Sequence, residues 1–232
     1  MSDKEPQLCI YCQKRPAVKM DHVVGKVFFG KGGKDDPLPD MITVPSCHEC
    51  DRGRGDGGPH DFHLDEEYAR NVIVAKIGMN EHPVAKKLIS NAMRSLQRSP
   101  KTAVKLLRDS KPVKLMMEYP SGVVIPTTTG TMNIELDRLR RVFKKIVRGL
   151  HYIQHGQALP ASSFVKVWVD LPRDEVHKAM ARLTGPWAGW NDATFMYKHG
   201  QVIDKPEHFG IWLMVFYGRF PTLAIVSPTE QM

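Results

Sequence analysis

The sequence has no long hydrophobic run. Its longest uncharged apolar stretch, IWLMVFY at 211–217, falls far short of the roughly 18 residues that span a bilayer. The opening MSDKEPQLC has no apolar segment of the kind a secretion signal needs. We therefore expect a cytoplasmic protein with no membrane partner. Cysteine is scarce as well: the four residues form two C-x-x-C pairs, with none left over. In a reducing compartment, thiols in that arrangement point to metal binding before disulfides. No repeat is present, and the methionines form no stripe that would mark a binding surface.

With 232 residues, 42% of them hydrophobic, the chain can bury a proper core as one large domain or two smaller ones. Its net charge of +8 is unevenly spread. Residues 1–75 carry a net −3, residues 76–155 a net +11, and residues 156–232 are neutral. A basic middle segment is the footprint expected of a surface that grips phosphates, or of a solvated helical face.

Residues 9 to about 64 are rich in Gly, Asp and Pro, as in GKGGKDDPLPD and DRGRGDGGPHD, and such stretches break regular elements. Helical spacing begins near Asp65, a candidate N-cap. Further helices are expected from Pro83 through Gln97 and over KTAVKLLRD at 101–109. Residues 112–128 read as two strands around a Pro-Ser-Gly turn. The longest helix should run from about Asn133 to Gly156, with Leu139, Phe143, Ile146, Val147 and Leu150 on one face. Arg138, Arg141, Lys144, Lys145 and Arg148 occupy much of the rest and are candidate phosphate contacts. Alternation in FVKVWVD, TFMYKHG, IWLMVFYG and TLAIVS predicts strands, with a helix over Pro172–Leu183. The fold class is thus α+β: a cysteine-bearing module over 1–76, then basic helices running into a mostly antiparallel sheet over 77–232. Trp168, Trp187, Trp190, Trp212, Phe216 and Tyr217 are expected to pack in the core.

Cys9 and Cys12 are separated from Cys47 and Cys50 by 34 residues. Two such knuckles close a tetrahedral shell around zinc, and four sulfurs leave no position for water, so the site should be structural. His48, inside the second knuckle, is then not needed as a ligand. A redox C-x-x-C pair would need a βαβ context that neither knuckle has.

The zinc loop encloses Asp21-His22-Val23 and, before the second knuckle, Asp40-Met41-Ile42-Thr43-Val44-Pro45, with Asp51 after it. On these residues, about 9–76, the chain resembles the HNH endonucleases of the His-Me finger, or ββα-metal, group, and particularly their zinc-stapled bacterial members. That resemblance implies a metal-dependent nuclease acting on DNA. It casts His22 as the general base and Asp21 and Asp51 as ligands of one divalent ion, usually Mg²⁺. Phosphodiester hydrolysis needs a base to activate water and a cation to neutralise the departing oxygen. The family usually has Asn where Asp40 stands and His or Asn where Asp51 stands. A carboxylate at 51 still suits Mg²⁺. One at 40, beside the base, would favour the imidazolium. The alternative is a zinc-stapled nucleic-acid-binding protein whose site has decayed. Arg52 and Arg54 are further candidate phosphate contacts; His60 and His63 could supply a missing ligand, but their place just before a helix, near its N-cap, accounts for them better.

Overall fold

The computed structural model describes residues 6–29, 42–51, 62–77, 134–183, 185–190, 194–201 and 209–228, residues 89 and 97, and the backbone of 112–118 and 124–130. Asp40, Arg52, Arg54, His60 and the helices expected over 83–97 and 101–109 lie outside these, save for single helical residues at 89 and 97. Two compact units are present. One comprises Met1–Ile89 with Asp137–Met232, the other Ser90–Leu136. The second contains an antiparallel hairpin of β3 (Pro112–Glu118) and β4 (Val124–Gly130), as the sequence implies.

In the first unit, β1 (Lys19–His22) and β2 (Thr43–Ser46) form a short antiparallel ladder with Asp21 opposite Val44 and His22 opposite Thr43. A 3-10 helix at Lys26–Phe28 follows β1, and a four-residue helix, α1 (His48–Asp51), follows β2. Next comes α2 (Phe62–Ile77). It starts one turn earlier than the sequence suggests, so Asp65 is buried in its first turn instead of capping it.

The long helix, α3 (Leu136–His155), ends at Gly156, whose φ of +69° is open to glycine without strain. After it come β5 (Phe164–Val169), α4 (Arg173–Arg182), β6 (Ala188–Trp190), β7 (Phe195–Gln201), β8 (Gly210–Phe216) and β9 (Phe220–Ser227). These strands form one five-stranded antiparallel sheet in the order β5-β9-β8-β7-β6. The α+β class holds, with the three-residue β6 the strand too short to show alternation. Among the described residues, no helix is long and apolar enough to cross a membrane.

The core lies where the apolar face of α3 meets this sheet. Leu139, Val142, Phe143, Ile146, Val147 and Leu150 are almost fully buried. Phe143 meets Phe216 edge-on at 5.6 Å, and Phe216 lies 5.1 Å from Phe28 and 4.8 Å from Phe195. Tyr217, at φ +52° in the β8–β9 turn, is held in place by burial and by its hydroxyl donating to the Phe28 carbonyl at 2.7 Å. Trp212, Phe216 and Tyr217 are core residues, as expected. Trp168 and Trp187 are not: each is 37% exposed, with Lys166 and Lys198 over their rings at 5.0 and 5.5 Å. An edge strand and the segment before β6 have one face open to water, and there an indole packs against a lysine stem instead.

Candidate functional site

The four cysteine sulfurs lie within 4.8 Å of one another, with Cys12 and Cys47 4.0 Å apart. Sulfurs at about 2.3 Å from a tetrahedral zinc are about 3.8 Å apart, so this group could hold such an ion with little movement. The local backbone builds the arrangement. Gln13 takes φ +54° and its N–H returns to the Cys9 carbonyl, closing the first knuckle. α1 closes the second, with the Cys50 N–H directed at the Cys47 sulfur. The two are tied together by Ile10 N–H to the Pro45 carbonyl and Val18 N–H to the Ser46 carbonyl. A hydrogen bond from Cys50, outweighing burial, brings the Cys9 thiol down to about 4. Sharing that proton pushes Cys50 up, and burial pushes Cys47 up. Thiols competing for protons at this distance have the electrostatics that a dication relieves.

Beside the sulfurs lies a buried cluster of acids. Asp21 on β1 and Asp51 on α1 are 5% and 8% exposed, and their carboxylates adjoin. Asp21 accepts from the Tyr11 hydroxyl at 3.1 Å and pairs with Lys145 of α3 at 3.0 Å. The same ammonium reaches Glu66 of α2 at 2.7 Å. Asp51 is paired with Lys19, and His63 of α2 stands 3.8 Å from it. Asp51 of α1 is thus the link between Asp21 of β1 and His63 of α2. Alternation along β1 explains why Lys19 and Asp21 share a face.

The charges follow from burial and pairing. Burial pushes Lys145 down, but Glu66 and Asp21 outweigh it and hold the ammonium above the ordinary lysine range. Glu66 is pushed up, chiefly by burial and also by Asp21, with Lys145 opposing. Burial works against the Asp51 carboxylate too, yet the hydrogen bond and charge of Lys19 keep it below the usual range. Tyr11 is raised by burial and by Asp21, so it stays a donor. Gly25 makes room for this cluster, since a Cβ there would collide with the Glu66 carboxylate.

His22 ends β1, half-buried, and alternation turns it with Met20 toward the face opposite Asp21. Burial and Lys26 lower its pKa, and Lys145, Asp21 and Asp51 also act on it, so it lies in the field of the acid cluster. Among the described residues, the cysteines are the one group of three or more metal-ligating side chains that closes tightly enough for an ion. The acids are occupied by ammonium groups instead, and a cation between Asp21 and Asp51 has to take over from Lys19 and Lys145.

The basic residues of α3 divide by position. Arg138 and Arg141 both grip the buried Asp65, at 2.6 and 2.8 Å, and Arg138 also stacks over Tyr68 at 4.2 Å. Arg148 donates to the carbonyls of Leu159, Pro160 and Ser163, and Lys144 is exposed. Arg138, Arg141, Lys145 and Arg148 are spaced three to four residues apart, so they form one stripe. Three of them bind acids of the N-terminal segment.

Sequence reasoning missed Tyr11, Lys19 and Glu66 and set His63 aside. The charge asymmetry between residues 1–75 and 76–155 was the available signal, because it is partly satisfied within the molecule. The chain matches no family model, no curated protein and no solved structure.

Proposed function

We propose that the protein is a metal-dependent endonuclease that hydrolyses phosphodiester bonds of DNA. The observation that carries this reading is the adjoining pair of carboxylates of Asp21 on β1 and Asp51 on α1, with His63 of α2 3.8 Å from Asp51, beside a four-cysteine cluster. Zinc on Cys9, Cys12, Cys47 and Cys50 is its structural ion. Asp21 and Asp51 offer oxygen donors suited to Mg²⁺, and the His63 imidazole beside Asp51 suits a transition-metal dication in its place. That ion supplies charge neutralisation at a non-bridging oxygen and at the leaving 3′ oxygen. On this reading His22, which alternation turns away from the Asp21 face, would swing its ring toward the acids to take the proton from the attacking water. Tyr11 orients Asp21 by its hydrogen bond.

A second reading is favoured by Lys145 and Lys19, which already satisfy Asp21 and Asp51. On that reading the acids are structural, and the protein binds nucleic acid without cutting it. A plasmid-nicking assay with Mg²⁺ separates the two. The nuclease reading expects nicking by the wild type and none by His22→Ala at equal zinc content and melting temperature. Equal nicking by both, or salt-sensitive binding with no nicking under any divalent ion, overturns it.

A further inference from the structure

A cavity of about 310 Å³ opens between the first knuckle, the start of α2 and the basic stripe of α3. This is at the lower end of the volumes that hold small ligands, about 300–1,000 Å³. Its walls carry Lys14, Arg141, Lys144 and Arg148, with the rings of Tyr11 and Phe62 beside them. Arg141 is neutralised by Asp65, and Lys145, also at the wall, by Asp21 and Glu66. The others are not neutralised. Among the described residues, no carboxylate lies within ion-pair distance of Lys14, Lys144 or Arg148. Arg148 is the telling case, because its guanidinium is part-buried and its partners are three neutral carbonyls.

A buried cation without a counter-charge is costly, and the ordinary remedy is an anion. A guanidinium flanked by two lysines is the donor set that recognises phosphate. Tyr11 and Phe62, with the Lys145 ammonium over their rings at 6.0 and 5.7 Å, bring aromatic faces of the kind that a nucleobase stacks on to the same cavity. Cys12 and Cys50 close one side of the cavity, and a dication on the four cysteines cancels half of the charge of their thiolates.

We propose that this cavity binds a single nucleotide, with its phosphate at Lys14, Lys144 and Arg148 and its base against Tyr11 and Phe62. The nucleotide is either a free monophosphate or the phosphorylated end of a strand. Binding here needs no cleavage, so it stands or falls apart from the nuclease reading.

The test is titration calorimetry on the full, zinc-loaded chain without other divalent ions, using dAMP, deoxyadenosine, and a short oligonucleotide with and without a 5′-phosphate. We expect dAMP to bind at least about tenfold more tightly than deoxyadenosine. If a strand end is the ligand, the phosphorylated oligonucleotide should exceed dAMP; if a free nucleotide is, dAMP should exceed the oligonucleotide. The variant Lys14→Glu/Lys144→Glu alters exposed side chains, so its melting temperature should hold while dAMP affinity falls by about tenfold or more. His22→Ala should bind dAMP as the wild type does. Equal affinity for dAMP and deoxyadenosine, or unchanged dAMP affinity in the double lysine variant, overturns the proposal.

Discussion

The N-terminal segment and the C-terminal sheet are stabilised by opposite means. From Phe195 to Ser227, the sheet with α3 against it buries a continuous set of aromatic and aliphatic side chains. The described residues of 9–51 have a four-residue ladder, a short 3-10 turn, the single turn of α1 and a cluster of sulfurs; around Asp21, Asp51, Glu66 and Lys145, much of what they bury is charged. α3 serves both. Its apolar face packs on the sheet, and its cationic stripe reaches the acids of the N-terminal segment. Apolar burial is non-directional and tolerates small shifts. Ion pairs and a metal shell fix positions, which is what a site needs.

The contrast can be broken most forcefully at the metal. Structural zinc contributes on the order of 10 kcal/mol of binding energy. Cys47→Ser, or chelation, should therefore remove amide protection across residues 9–51 while leaving β7–β9 protected in hydrogen exchange. Equal loss in both regions would show that they do not differ in this way.

Phe216→Ala is the converse experiment. Phe216 contacts Phe28, Phe143 and Phe195, so its loss should cost about 3–5 kcal/mol in denaturant unfolding, with zinc content unchanged. Lys145→Met tests the ionic half. It leaves Asp21 and Glu66 buried without their ammonium and should cost about 3–5 kcal/mol. Adding Glu66→Gln should recover part of that loss, since fewer buried charges then lack a partner. A larger loss in the double variant would mean that the pair is not the source.

Gly149→Ala probes the seam between the two regions. A Cβ at 149 would sit 2.8 Å from Val23, so α3 has to move away from the end of β1 at a cost of about 1–3 kcal/mol. The smallest effect is one of pH. His199 stacks on Trp212 at 4.1 Å, with His155 at 5.2 Å and His151 behind it. Burial, then His155, brings His199 down to about 4. The unfolded chain therefore takes up this proton first. The stability is present above about pH 6.5 and is lost as the pH falls toward 4. His199→Gln should flatten that part of the stability–pH curve, as read by urea midpoints.

Much of this was legible in the residues. The C-terminal strands carried alternation, as in Val165 and Val167 on the buried face of β5, and α3 carried its apolar spacing to Gly156. The cysteine spacing implied a cluster, and the four sulfurs do gather. What was not legible is tertiary. Nothing local to Asp65 shows that two arginines more than 70 residues away will grip it, and by sequence it reads as a cap. The stripe Arg138, Arg141, Lys145 and Arg148 likewise looks like a solvated or phosphate-facing surface. Only the fold reveals that Glu66 and Asp21 lie opposite Lys145. His63 was discounted because its proximity to Asp51 depends on the angle at which α2 leaves the second knuckle.

The proposed difference between the two regions turns on Cys9, Cys12, Cys47 and Cys50, whose clustered sulfurs could hold one ion. Elemental analysis with X-ray absorption at the zinc edge addresses it directly. One zinc per chain with four sulfur neighbours at about 2.3 Å is the expected result. A chain that is fully folded over residues 9–51 with no bound metal, or a zinc held by fewer than four sulfurs, would contradict it.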